Sequence, residues 1–284
     1  RGMGDCYINI GNAFTRQGNN AEVLKNYLAA LKIYENINFK RGIASVYDNI
    51  GGIYSDIGNY QEALKNHLAS LKIFEELNDK NGIAYVYNNI GIINYKQGKN
   101  DEALKNHFAS LKIKEEMKDY SGMSNSYNCI GAVYIEKEDY PEALKNFYES
   151  LKIEESVDDK TDITAALLNI GLVYSMQKKY TESRSFIIKT ITISKQFQLK
   201  KSLREAYGIY SKLDSATGNY KGAYENYKLY ITYRDSLDNE VTRRKMIQSQ
   251  MDYDFEKREA IAEAEHKKEL ENQSVIANEK SRKQ

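Results

Sequence analysis

Proline is nearly missing from this chain, with one residue in 284, and tryptophan is absent altogether. So few helix breakers, in a chain with 41% hydrophobic and 29% charged residues, favour a well-solvated helical protein over one built from sheets. No run of 18 or more apolar residues exists, so the sequence as written offers no membrane-spanning helix. The excess of one charge sign that would attract nucleic acid or an anionic membrane is also lacking. Lysine plus arginine number 41 against 40 for aspartate plus glutamate, a net charge of +1. Cys6 and Cys129 are the only cysteines. They fall three repeats apart in the register below, ~30 Å at the ~10 Å spacing of packed helices, far beyond the ~7 Å that a disulfide tolerates. Two free thiols are expected, which suits a reducing compartment.

What is present is repetition. Asn9-Ile10-Gly11, Asn49-Ile50-Gly51, Asn89-Ile90-Gly91, Cys129-Ile130-Gly131 and Asn169-Ile170-Gly171 recur at a period of 40 residues. Glu62-Ala63-Leu64-Lys65-Asn66 returns at Glu102 to Asn106 and Glu142 to Asn146. Six units cover residues 1–240, the mark of supersecondary elements that stack to bury their faces. Within one unit, Tyr47, Ile50, Gly51 and Tyr54 share one face of a first helix. Gly58-Asn59 supplies a left-handed cap and turn, as do Gly18-Asn19, Gly98-Lys99 and Gly218-Asn219. A second helix places Ala63, His67, Ser70 and Phe74 on one stripe, with Leu64, Leu68 and Leu71 beside it. The lone Pro141 falls in the first turn of such a helix, where its missing N–H is harmless. A glycine inside the first helix costs ~1 kcal/mol against alanine, so close packing must offset it. Ala63, Ala103, Ala143 and Ala223 are the expected small partner surface.

These positions resemble the tetratricopeptide repeat family over residues 1–240. The family's first aromatic is matched by Tyr7, Tyr47, Tyr87, Tyr127 and Tyr207, and its glycine by Gly11, Gly51, Gly91, Gly131 and Gly171. The longer period is similar to that of kinesin light chains and of bacterial sensor regions. The last two copies drift, with Leu167, Ser183, Ser211 and Asp214 at family positions. The resemblance implies an all-α superhelix, or solenoid, whose first helices line a concave groove that grips an extended peptide or protein segment.

Mapped onto that groove, the candidate binding residues are Asn9, Asn49, Asn89 and Asn169, with Cys129 in register, flanked by Asp48, Ser55, Asn88, Asn128, Tyr85 and Lys96. Asp56 and Asn125 lie close by. Each amide offers a donor and an acceptor to a ligand backbone. The same amides could instead bond to neighbouring helices. The cationic carboxylate clamp of chaperone-binding relatives is not matched, which disfavours capture of a free C-terminus. His67 and His107 occupy one repeat position, where other copies carry Tyr27, Phe147 and Tyr227, and are expected as core rings and not as zinc ligands. The tyrosines, 24 in all, are expected in the core. Gly2-Met3-Gly4 has Tyr7 where a dinucleotide fingerprint needs a third small residue. No acid–base or nucleophile set can be assembled, no cofactor is called for, and the chain is expected not to be an enzyme.

Residues 241–284 lose the period. Val241, Met246, Ile247, Met251 and Phe255 are expected to begin a capping helix, followed by a charged helical linker. The linker could be a solvated helix, a coupling rod, or the contact of a homodimer. Both ends look cut from a longer parent, here expected to be a bacterial signalling protein with a kinase, cyclase or DNA-binding output. A cytoplasmic setting is favoured, with the periplasmic part of a membrane-anchored parent as the other reading. A structural module that pairs its fused output domain is the alternative to a binding scaffold.

Overall fold

The computed structural model describes residues 1–239, and contacts divide the chain at Tyr233–Arg234. The expected capping helix and charged linker, residues 241–284, lie outside the described residues. Helices α1 (Gly2–Gln17), α2 (Asn20–Asn36), α3 (Lys40–Asp56) and α4 (Tyr60–Glu76) make the first two hairpins. Then follow α5 (Lys80–Lys96), α6 (Asn100–Met117), α7 (Tyr120–Glu136), α8 (Tyr140–Val157), α9 (Lys160–Met176), α10 (Tyr180–Gln196) and α11 (Lys200–Ala216). The last helix, α12, occupies 220–239, and no strand occurs among the described residues. From α1 to α11 each helix packs on the next, and α3 with α5, α5 with α7, and α9 with α11 also touch directly. Arg1–Tyr233 is therefore an all-α solenoid in which first helices meet first helices to make a wall. Among the described residues no helix is long and apolar enough to cross a membrane.

Local chemistry sets the hairpin turns. Gly18, Gly58, Gly98 and Gly218 close their first helices at φ between 73° and 80°, and Asn59 Oδ1 then accepts the Glu62 N–H at 3.3 Å to open α4. The turns between hairpins reach the same left-handed region without glycine, at Asn38, Asn78, Lys118, Asp158 and Gln198. Pro141 sits in the first turn of α8 as expected.

The helical glycines meet rings, and this corrects the expected alanine partner. A Cβ on Gly11 would stand 2.6 Å from the Tyr27 ring, on Gly51 2.8 Å from His67, on Gly91 2.6 Å from His107, and on Gly131 2.7 Å from Phe147. In the fifth hairpin Ile187 takes the ring's place, 2.8 Å from a Cβ on Gly171. His67 and His107 are each 1% exposed, so both are core rings. Where the family pattern drifts, polar side chains bridge the hairpin instead. Ser183 Oγ donates to the Gly171 carbonyl at 2.6 Å, and Ser211 Oγ to that of Ala223 at 2.8 Å. Asp214, 2% exposed, pairs with Arg184 at 2.7 Å and accepts from Asn226 Nδ2 at 2.8 Å.

Two expectations about the core need correction. Leu68 does not join its buried neighbours but is 54% exposed, and Leu28, Phe108, Tyr148 and Ile188 repeat that outward position. The tyrosines divide: Tyr27, Tyr34 and Tyr207 are buried, whereas Tyr85, Tyr120, Tyr220, Tyr224 and Tyr227 are more than half exposed. The two thiols are unpaired, with Cys6 exposed and Cys129 half-buried.

Two measurements check this packing. Gly91→Ala should lose about 1–3 kcal/mol by overpacking against His107. Gly52→Ala, whose Cβ would enter open space on the same kind of helix, should gain about 0.5–1 kcal/mol. Equal melting temperatures for the two variants would contradict the register. Burial, reinforced by the Lys114 ammonium, pushes the His107 imidazole from 6.5 down to about 4. The unfolded chain binds that proton near pH 6.5 and the folded one only near 4. The stabilisation is therefore complete above about pH 6.5 and drains away as the pH falls towards 4. Between pH 7 and 5 the wild type should lose about 2 kcal/mol more than His107→Phe, a variant that copies Phe147 of the next hairpin. Equal losses in the two proteins would overturn that account.

Candidate functional site

The wall of first helices carries polar side chains between its core positions, and most of them bond from one repeat to the next. Asn89 Nδ2 on α5 donates to both carboxylate oxygens of Asp48 on α3, at 3.1 and 3.2 Å. Asn169 Nδ2 on α9 donates to Asn128 Oδ1 on α7 at 3.5 Å. Lys96 Nζ donates to Ser55 Oγ at 3.2 Å across the same α3–α5 seam. Each of these partners is 41 residues from the other, one repeat plus one residue. Adjacent first helices place those two positions side by side.

A second set of bonds runs inward. His67 Nδ1 donates to Asp48 Oδ1 at 2.7 Å, and one repeat later His107 Nδ1 donates to Asn88 Oδ1 at 2.9 Å. Asn128 Nδ2 likewise donates inward to Ser150 Oγ at 2.8 Å, while Asn88 Nδ2 donates along the wall to Asn125 Oδ1 on α7 at 3.2 Å. Asn88 is 7% and Ser55 8% exposed, so both are largely withdrawn into the seam. Asn49, Asn89, Asn128 and Asn169 are half-buried, Asn9 and Lys96 exposed.

The structure brings three of the sequence candidates into one hollow. Asp48, Asn49 and Tyr85 line an open depression of about 220 Å³ between α3 and α5, closed below by Phe74 and Gly82. Tyr85 is 55% exposed there, and the Asp48 side chain 19%. Arg41, Ser45, Asp79 and Asn81 complete the rim, and sequence reasoning missed all four. Arg41 and Asp79 form an ion pair at 2.9 Å, while Asp79 Oδ1 caps α5 by accepting the Gly82 N–H at 3.1 Å. Arg41, Asp79 and Asn81 stand at helix starts, outside the positions that the repeat pattern marks as facing the groove, whereas Ser45 occupies the repeat position of Tyr85. Asn9, the Ser55–Lys96 pair and the Asn128–Asn169 pair lie outside this hollow.

Behind the wall the seam between α6 and α7 is polar. Lys114, 3% exposed, stands where the first two hairpins carry Tyr34 and Phe74, and its ammonium donates to the Gly122 carbonyl at 3.1 Å and Ser126 Oγ at 3.3 Å. Burial lowers its pKa. The same ammonium lies 5.5 Å from the Tyr85 ring centre. Among the described residues no cluster of three or more His, Cys, Asp or Glu side chains could hold a metal ion.

Several solved structures share this architecture. BtubC (BKLC) from P. vanneervenii superposes with a TM-score of 0.65 at 12% identity, over 76% of this chain and 91% of that one. The apo form of RapI gives 0.66 at 19% identity, over 84% and 85%. Aspartyl phosphate phosphatase F from Bacillus subtilis gives 0.65 at 16% identity, over 74% of this chain and 55% of that one. At such identities the likeness is one of fold. Comparison with curated protein sequences finds no significant match. The tetratricopeptide repeat profile matches residues 42–116 and 122–196, more than half of the chain. With six hairpins in register and a glycine facing a bulky side chain in five of them, the chain belongs to the tetratricopeptide repeat family, commonly protein-binding scaffolds.

Proposed function

We propose that this solenoid is a protein-binding scaffold that grips an extended polypeptide along its first helices, and that it serves as the input region of a larger bacterial signalling protein. The observation that carries the reading is the hollow between α3 and α5, where Asp48, Asn49 and Tyr85 meet beside the amide of Asn89. Amides placed once per repeat, ~10 Å apart, suit about every third residue of a strand rising ~3.3 Å per residue. The shared fold of RapI and of an aspartyl phosphate phosphatase supports the signalling setting. The two unpaired thiols support a reducing, cytoplasmic one.

A second reading, a module that assembles copies of itself, draws on α12. Tyr227 is 52% exposed, whereas Tyr27, His67, His107 and Phe147 at the same repeat position are all 3% or less. Tyr220 and Tyr224 extend this face at 73% and 62% exposure, and α1 at the other end exposes Met3 and Ile10. Stacking α12 of one copy on α1 of the next would bury both faces.

The first reading predicts binding from a random library of blocked peptides about twelve residues long, enough to pass four repeats at ~3.3 Å per residue. Asn49→Ala with Asn89→Ala should weaken the selected peptides about tenfold or more, at roughly 1 kcal/mol per lost hydrogen bond, with the circular dichroism unchanged. Undiminished affinity, or a library that yields no binder, defeats the groove. The second reading predicts an apparent mass that rises with concentration in light scattering and stays at the monomer value in Tyr224→Glu/Tyr227→Glu. A wild type that scatters as a monomer at every concentration removes it.

A further inference from the structure

We infer that the hollow between α3 and α5 is a subsite for a cationic side chain, arginine or lysine, of the bound peptide. The inference rests on the reading of the wall as a peptide groove and names the ligand chemistry at one point along it.

The solenoid supplies its own comparison. In the second hairpin the ring of His67 is held by Asp48, and in the third the ring of His107 is held by Asn88, through the same Nδ1 and at nearly the same distance, 2.7 and 2.9 Å. An amide therefore suffices to hold the ring. The carboxylate at 48 adds a negative charge that the packing does not need. Burial separates the two positions as well. Asp48 is half-buried and lines the hollow, whereas Asn88 is buried and does not.

No lysine or arginine among the described residues neutralises that charge. Arg41, on the rim, is ion-paired with Asp79 at 2.9 Å, and the donors to Asp48 are the His67 ring and the Asn89 amide. A carboxylate already partly desolvated and fixed by two neighbours gains most from a charge-assisted bond to an incoming cation. Tyr85 supplies the wall, and its role is limited by what already touches it. The Lys114 ammonium lies 5.5 Å from the ring centre, so the ring offers apolar area to the methylene stem of a ligand side chain and the charge partner is Asp48. Asn49 and Asn81 line the same hollow and can accept further guanidinium N–H groups. A depression of about 220 Å³ has room for one long side chain entering from an extended backbone.

The test uses the full chain and three blocked peptides of alanine, glycine and serine that differ at one central residue: arginine, citrulline or glutamate. Binding is followed by amide chemical shifts. The arginine peptide should bind about tenfold more tightly than the citrulline peptide, which has the same shape without the charge, and the glutamate peptide most weakly. In Asp48→Asn, a substitution the third hairpin already carries at Asn88, the ratio of arginine to citrulline affinity should fall to near one. Tyr85→Ala, at an exposed position, should weaken the arginine peptide severalfold. If the three peptides bind equally to the wild type, the cation subsite is refuted and the groove stands. If arginine is preferred but the preference survives in Asp48→Asn, the assignment to this hollow fails. If none of the three binds, the groove reading and the subsite fall together.

Discussion

The fit of a bulky side chain against a bare glycine sets the spacing inside five of the hairpins. Tyr27 on Gly11, His67 on Gly51, His107 on Gly91, Phe147 on Gly131 and Ile187 on Gly171 all lie where an added Cβ would stand under 3 Å away. That contact brings the second helix close at one fixed height. Because the side chain belongs to the second helix and the notch to the first, neither helix can rotate or slide without a clash. The seams between hairpins inherit this precision. Bonds such as Asn89 to Asp48 and Lys96 to Ser55 connect positions 41 residues apart because successive hairpins repeat the same internal geometry. The sixth hairpin lacks the notch, having Ser211 in place of glycine, and there Tyr227 is turned outward.

Much of this was legible in the sequence, because a 40-residue period constrains every copy at once. The hairpins, the left-handed glycine turns, Pro141 in a first turn and the histidines as core rings all follow from register. What failed did so for identifiable reasons. Sequence points to Ala63 and its equivalents as partners of the notch because alanine is small, whereas a glycine can equally be a socket for a large side chain four residues further along. The turns at Asn38, Asn78, Lys118, Asp158 and Gln198 escaped notice because their left-handed conformation, near φ of 51–60°, is adopted without glycine. Periodicity groups Leu68 with the core because the second helix is apolar over a broad arc, and it does not mark where that arc leaves the neighbouring hairpin.

The candidate site was legible only in part. Asp48, Asn49 and Tyr85 were marked by their position between core residues, and they share one hollow. Sequence does not reveal whether a polar side chain at such a position meets solvent or the next repeat. In this wall it often meets the next repeat: Asn89 and Asn169 donate to their neighbours, and Asn88 and Ser55 are nearly sealed. The pairing of Arg41 with Asp79 crosses from the start of one first helix to the cap of the next, an offset of 38 residues that no repeat signature encodes.

The middle of the array shows how far the repeat tolerates polarity. Apolar clusters join α2 to α3, α4 to α5, α8 to α9 and α9 to α11. Between α6 and α7 the corresponding positions hold His107, Ser110, Lys114, Ser124 and Ser126, all 3% exposed or less. A buried ammonium is costly unless its donors are satisfied. The Gly122 carbonyl and Ser126 hydroxyl meet that demand for Lys114, as the Ala84 carbonyl does for Ser110 at 2.7 Å. Across this seam the directional bonds are those of Lys114, while Ser110 and His107 bond back to α5 and Ser124 to Ser150 on α8. Lys114 also reaches the back of Tyr85, which lines the hollow between α3 and α5. The polar seam and the open hollow therefore meet at a single ring, which the Lys114 ammonium approaches from one side while more than half of the residue stays exposed.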